Sequence, residues 1–184
     1  MIFLTFPAMV ILLLPIIILE AWLYRRWLDL ETWRATKSSA LANLASTLVG
    51  VPAAWAVMFG VEFCAGFGIA KIPALNRMVD KWHSPMAAVV NTILSAAWLV
   101  PDEKSLYWML PVAVLVLMIP TFYLSVWIEA FVVDYMVSVP EDDASNLTTA
   151  RVRKAVRDAN LVSYSLLTGG TVAWLLISLL KPPR

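Results

Sequence analysis

The chain predicts an all-α fold: a polytopic helical membrane bundle of four or five transmembrane segments with an internal duplication. Three observations carry that expectation. Of the 184 residues 61% are hydrophobic and only 15% charged, with a mean hydropathy of +0.77, whereas charged residues make up about a quarter of an ordinary soluble domain. Nearly all the charge sits in short connectors and the tail, between apolar runs long enough to face hydrocarbon. The stretch from Leu14 to Pro52 then recurs in weaker form from Pro120 to Gly170: Glu20-Ala21 matches Glu129-Ala130, and Ala42-Asn43-Leu44 matches Ala159-Asn160-Leu161. In both, a serine follows the asparagine by the same interval, Ser46 and Ser163. Size and composition fit a single membrane domain over 1–184, with repeat 1 at about 3–70, a short segment at 85–100, and repeat 2 at about 106–180.

Segment one runs from about Phe3 to Tyr24, enough residues at roughly 1.5 Å each to cross the hydrocarbon core. Its first nineteen positions carry no Lys or Arg and no small-residue cleavage motif follows, so it reads as a retained membrane helix rather than a removed signal peptide. Trp22, Tyr24 and Trp27 mark the water interface, and Arg25 and Arg26 place a connector, Arg25 to Ser39, in water. Glu20 therefore lies about one turn inside the boundary. Segment two begins near Ala40 and extends toward Ala70, though Pro52, Glu62 and the glycines at 60, 66 and 68 argue against an uninterrupted helix. Asn43, Ser46, Thr47 and Gly50 form a small and polar stripe on one face, of the kind that lets membrane helices approach closely.

A polar hinge follows from Lys71 to Ser84 and contains His83. Segment three, Pro85 to Val100, is short for a span and carries Asn91 and Ser95 one turn apart; it either crosses at a thin place or re-enters the bundle. Segment four, Leu106 to Met136, is interrupted by Pro111 and Pro120 and fits a tilted, kinked helix. The next connector ends in a cap-like Ser145 and Asn146 and a basic helix start with Arg151, Arg153, Lys154 and Arg157, suited to an anionic leaflet surface. Segment five runs from Ala159 to Leu180, with Asn160, Ser163 and Gly170 expected on one face.

Five crossings would leave Lys and Arg evenly divided between the two sides. Four crossings put both four-cation connectors on one face, eight basic residues against six, which favours a cytoplasmic location for that face and an outside amino terminus.

The candidate polar cluster is Glu20, Asn43, Ser46, Glu129, Asn160 and Ser163, with Glu62, His83 and Asn91 as secondary candidates. Each glutamate is expected to close a helix and each asparagine to open the next, so that carboxylate, amide and hydroxyl meet within one copy. Two readings of that arrangement stand side by side. Carboxylate and amide oxygens at a helix start can hold a hard cation or a proton and move it. Alternatively, the glutamates tie helices together while Asn and Ser satisfy neighbouring polar groups, the reading favoured here. Glu62 reads as the interfacial end of segment two, and His83 as a solvated or capping histidine, since no nucleophile with an orienting acid is recognisable around it. With one cysteine, Cys64, and one histidine, neither an intramolecular disulfide nor a His/Cys metal or haem site is expected, and no cofactor is. No basic and aromatic surface suggests nucleic acid.

The run IIILEAWLYRRWLDLETWRATKSSALANLASTLVG resembles the amino-terminal part of the cyanobacterial filament-integrity membrane proteins, in its Glu-Ala near the first helix end, aromatic and basic connector, and Asn followed by Ser or Thr. It is similar, too, to a broader bacterial set of uncharacterised multipass proteins. The resemblance covers about a fifth of the chain and implies a non-enzymatic membrane component with no catalytic residue to carry over. The resulting expectation is a multi-pass protein of the bacterial inner membrane, in contact with the lipid bilayer, acting as a structural or assembly component beside other membrane subunits or as a homo-oligomer. The alternative is a small ion- or proton-coupled transporter or channel built from two repeats.

Overall fold

A computed structural model of the chain describes residues 2–71, 85–96, 106–138 and 147–180, all helical apart from short turns, with no strand among the described residues. Helix α1 spans Ile2–Leu28, α2 Thr32–Ala45, and a π turn over Ser46–Gly50 leads directly into α3, Val51–Lys71. Helix α4 is Pro85–Leu94, α5 Leu106–Ser138 and α6 Thr149–Leu180. Among the described residues three helical stretches are long and apolar enough to cross a membrane: Thr32–Gly68, Tyr107–Ser138 and Thr149–Leu180. Large apolar side chains such as Leu48, Phe63, Trp127, Phe131 and Leu180 are exposed, as expected where the solvent is lipid.

The chain divides into two compact units. One comprises residues 3–53 and 121–167; the other comprises 1–2, 54–120 and 168–184. The core of the first is drawn from four helices: Leu23, Tyr24 and Leu28 of α1, Ala35 and Ala42 of α2, Ala130, Val133 and Val137 of α5, and Val152, Ala155, Val156 and Ala159 of α6. The many alanines and valines let the helix backbones approach closely. A smaller core in the second unit joins Met58, Ala96 and Ala113, with Trp55, Met109, Val116 and Leu117 against them.

Several boundaries differ from the sequence expectation. The connector expected over Arg25 to Ser39 shrinks to Asp29, Leu30 and Glu31, because Asp29 takes a left-handed conformation (φ 56°) that ends α1 abruptly. Leu30 tucks beneath the turn, and Ser38 and Ser39, expected in water, are fully buried. The helix also continues through Pro52. A proline ring collides with the carbonyl four residues back, and the wider π turn immediately before it accommodates that collision without breaking the rod. Pro111 and Pro120 likewise lie inside the continuous α5.

Helix α6 runs unbroken from the basic start expected around Arg151 through segment five, and it is capped by Thr148, whose hydroxyl accepts the Arg151 N–H at 3.3 Å. The expected cap at Ser145 and Asn146 lies outside the described residues, as does most of the hinge with His83. Tyr24, expected at the interface, is fully buried, and Gly170, expected on the face of Asn160 and Ser163, is exposed.

Gly50 brings the π turn against α5. A β-carbon there would stand 3.6 Å from Ile128 Cδ1 and 3.9 Å from Leu124 Cβ, ordinary contact distances. Gly50→Ala should therefore hold or raise the thermal midpoint in detergent, the direction expected for alanine in a helix. Gly50→Phe should lower stability by about 1–3 kcal/mol through overpacking. Equal midpoints for the two variants would show that no close approach exists at this position.

Candidate functional site

All six members of the expected polar cluster are buried in the unit formed by residues 3–53 and 121–167. Glu20 and Glu129 are only 1% and 2% exposed. Neither glutamate closes its helix. Glu20 lies two turns before the end of α1, Glu129 lies deep in α5, Asn43 lies in the last turn of α2, three turns from its start, and Asn160 is well inside α6. The expectation that Glu closes one helix and Asn opens the next is thus corrected. Positions of this kind occur inside membrane helices only when their polar atoms are met by neighbours.

The partners are supplied crosswise. Asn43 Nδ2 donates to Glu20 Oε2 at 2.6 Å, and Asn160 Nδ2 donates to Glu129 Oε2 at 2.7 Å, so each amide serves the glutamate of its own stretch. The serines do the opposite. Ser163 Oγ lies 2.8 Å from Glu20 Oε1, and Ser46 Oγ lies 2.7 Å from Glu129 Oε1. All four carboxyl oxygens are therefore hydrogen-bonded, and four helices contribute to the knot. The carboxylate, amide and hydroxyl of one stretch, expected to meet, do not do so, because Ser163 faces Glu20 and Ser46 faces Glu129.

Local geometry fixes the amides. Asn43 Nδ2 also bonds the Ser39 carbonyl at 3.0 Å and Asn160 Nδ2 the Val156 carbonyl at 3.2 Å, both one turn back. Only an NH₂ group can donate both to a carbonyl and to a carboxyl oxygen, so each amide oxygen must point elsewhere. Asn160 Oδ1 has no hydrogen-bond partner among the described residues, and the same holds for Tyr24 Oη and Ser38 Oγ, all buried. Ser39 Oγ donates to the Ile17 carbonyl at 3.0 Å, tying α2 to α1. Because Asn43 and Ser46 are one turn apart on one rod, and Asn160 and Ser163 on another, the two carboxyl groups they hold lie within about a helical turn of each other.

A second crosswise pair lies at the helix ends and was missed from sequence. Arg34 Nη2 donates to the Val137 carbonyl at 2.9 Å and to that of Met136 at 3.5 Å, near the end of α5. Arg151 Nη2 donates to the Trp27 carbonyl at 2.9 Å, at the end of α1. Cations favour helix C-termini, where carbonyls lack partners and the dipole is negative. Arg34, Asn43 and Ser46 have the same spacing as Arg151, Asn160 and Ser163, and Trp27 follows Glu20 by the interval at which Met136 follows Glu129. That shared spacing was the signal available in advance. These contacts also gather the ends of α1 and α5 with the starts of α2 and α6 at one end of the unit.

Of the secondary candidates, Glu62 lies in the other unit, half-buried, with Oε2 unpartnered among the described residues. Asn91 is exposed, its carbonyl accepting the Ser95 hydroxyl. His83 lies outside the described residues. No group of three or more His, Cys, Asp or Glu side chains able to hold a metal occurs among the described residues. A cavity of about 580 Å³ opens at the first turn, lined by Arg25, Asp29, Leu30, Glu31, Thr32 and Trp33, and includes no member of the cluster. No protein-family model, curated protein or solved structure matches the chain.

The crosswise pairing is open to a double-mutant cycle in detergent unfolding. Glu20→Ala combined with Ser163→Ala should give a coupling energy within the roughly 0.5–3 kcal/mol found for bonded groups, and Glu20→Ala with Ser46→Ala a smaller one. Stronger coupling to Ser46 would reverse the assignment.

Proposed function

We propose that this chain is a non-enzymatic structural or assembly component of a membrane complex, built by internal duplication, whose two copies lock together through the glutamate knot. The carrying observation is the closure of all four carboxyl oxygens by hydrogen-bond partners supplied crosswise from both copies. Such closure suits a fixed joint. An ion pathway would need carboxyl oxygens free to exchange partners, whereas here every one is engaged.

The arginine contacts support parallel copies. Both connectors then lie on one side, where Arg25, Arg26, Arg34 and Lys37 join Arg151, Arg153, Lys154 and Arg157. The positive-inside rule assigns that face to the cytoplasm of a bacterial inner membrane and the amino terminus to the outside. With α1, α2–α3, α5 and α6 each crossing once, this reading has four crossings.

Partners, either other membrane subunits or a second copy, would meet the lipid-exposed surface. On α5 the exposed rings of Tyr123, Trp127, Phe131 and Tyr135 recur every fourth residue as a ridge suited to lipid or to another helix. A proton- or ion-coupled transporter is the second reading, favoured by the unpartnered buried Asn160 Oδ1 and Tyr24 Oη beside the acids.

Glu20→Leu combined with Glu129→Leu should reduce complex size or thermal stability in mild detergent, because Asn43, Asn160, Ser46 and Ser163 each lose a hydrogen-bond partner. Unchanged size and stability would remove the structural reading. Single cysteines at positions 30, 78, 103 and 145 in a Cys64→Ser background should give labelling of 30 and 145 from the same side of the membrane. Labelling from opposite sides would replace parallel copies with an inverted repeat and move the transporter reading ahead.

A further inference from the structure

The serines at the knot each face two oxygens. Ser163 Oγ is 2.8 Å from Glu20 Oε1 and 3.2 Å from the Ala159 carbonyl; Ser46 Oγ is 2.7 Å from Glu129 Oε1 and 3.2 Å from the Asn43 carbonyl. A hydroxyl has one hydrogen to give, and a backbone carbonyl can only accept. If the serine gives its hydrogen to the carbonyl, its contact with the glutamate needs a hydrogen from the glutamate. A neutral carboxylic acid supplies it, with the O–H on Oε1 and the carbonyl oxygen Oε2 accepting from the asparagine amide. In that arrangement each contact has a hydrogen of its own, whereas beside an ionised carboxylate the two oxygens would share one. The Asn43 carbonyl also accepts the Thr47 hydroxyl at 2.7 Å and the Ser46 backbone N–H, so the Ser46 hydroxyl shares that acceptor, whereas Ser163 is the clearer of the two cases.

Charge leads to the same assignment. Two ionised carboxylates within a turn of each other, buried in an apolar bundle, would require a compensating cation. Arg34 and Arg151, on the helices that carry Asn43 and Asn160, donate to backbone carbonyls at the helix ends. The titratable groups facing the pair are instead the phenols of Tyr24 on α1 and Tyr164 on α6, the latter 3.0 Å from Ser125 Oγ on α5.

Unused hydrogen-bonding capacity also lies beside the acids. Tyr24 Oη, on the face of α1 one turn beyond Glu20, and Asn160 Oδ1, on the amide that holds Glu129, are buried polar atoms with unused hydrogen-bonding capacity among the described residues. Each can accept a hydrogen bond.

We propose that Glu20 with Ser163, and Glu129 with Ser46, form two proton-binding sites, in each of which a neutral acid donates to a serine that passes its own hydrogen to a backbone carbonyl. Loss of the proton breaks the acid's O–H bond, and the serine then turns its hydrogen from the carbonyl to the new carboxylate. No other bond changes, and the proton leaves to solvent. The proposal rests on the knot described above and gives it a ligand, the proton.

The test is infrared spectroscopy of the purified full chain in lipid at neutral pH. The wild type should show the carbonyl stretch of protonated carboxylic acids, shifted on transfer to deuterium oxide. Glu20→Gln and Glu129→Gln should each remove about half of the portion lost in the double variant. Glutamine keeps one donor and one acceptor, so folding should survive, and the size of the complex is recorded in parallel. Ser163→Ala should keep the Glu20 band but move it to higher frequency, as for an acid whose O–H has lost its acceptor. Loss of carboxylate bands rather than acid bands in the Gln variants would overturn the proposal. So would carboxylate bands that appear only with added sodium or calcium, which would make the ligand a metal cation. The two proposals fail separately: absence of an acid band removes proton binding and leaves the joint standing, whereas an undisturbed double Leu variant removes the joint.

Discussion

A buried carboxyl group in an apolar bundle has no water to turn to, and every lone pair must find a donor on another helix. Two such groups determine much of this unit. Glu20 on α1 draws Asn43 of α2 and Ser163 of α6; Glu129 on α5 draws Asn160 of α6 and Ser46 of the π turn. Four helices thereby acquire a register that their apolar faces alone would not dictate. Leucine against lipid and leucine against leucine differ little in free energy, so packing in membranes depends on small residues and on polar pairs of this kind. The alanines and valines around the knot supply the first, and the glutamates the second.

The backbone is shaped to deliver those donors. The π turn begins at Ser46, so the same departure from regular helix that accommodates Pro52 also sets the direction of the serine facing Glu129. At the other end of the unit, Asp29 turns the chain sharply enough that α2 begins at Thr32 and places Arg34 at the carbonyls ending α5. Each bond in the knot is individually modest, on the order of 0.6 kcal/mol on average for polar contacts between membrane helices. What they exclude matters more, because sliding one helix by a turn would leave a buried carboxyl oxygen without a donor.

Composition and periodic apolar runs made the helical, membrane-like character legible, and the recurrence of Glu, Asn and Ser marked all six cluster residues. What could not be read was how they pair. A sequence places Ser46 one turn from Asn43 and suggests that both serve Glu20, but helix packing sends Ser46 to Glu129 instead. Helix limits were misjudged for a related reason. Arg25, Arg26, Arg34 and Lys37 look like a loop in water, yet long cationic side chains reach outward from a helix while its opposite face stays buried, as Ala35, Ser38 and Ser39 are. Tyr24 was read as an interface ring because of its aromatic neighbours. Its position one turn from Glu20 on the same face was the better guide.

Crosswise donation has a consequence for how the two stretches depend on each other. Taken alone, the first stretch offers Glu20 its amide, but the hydroxyl facing Oε1 comes from Ser163; the second offers Glu129 its amide, but the hydroxyl comes from Ser46. The helix ends repeat the pattern, since the carbonyls closing α1 are met by Arg151 and those closing α5 by Arg34. Neither half can satisfy its own buried acid or its own helix terminus. An unpaired buried polar group costs about 1–3 kcal/mol, so each half is destabilised in isolation at several positions at once and relieved at all of them when the other docks. Apolar packing between the halves would tolerate many angles, whereas the two serines and two arginines are met together only in one.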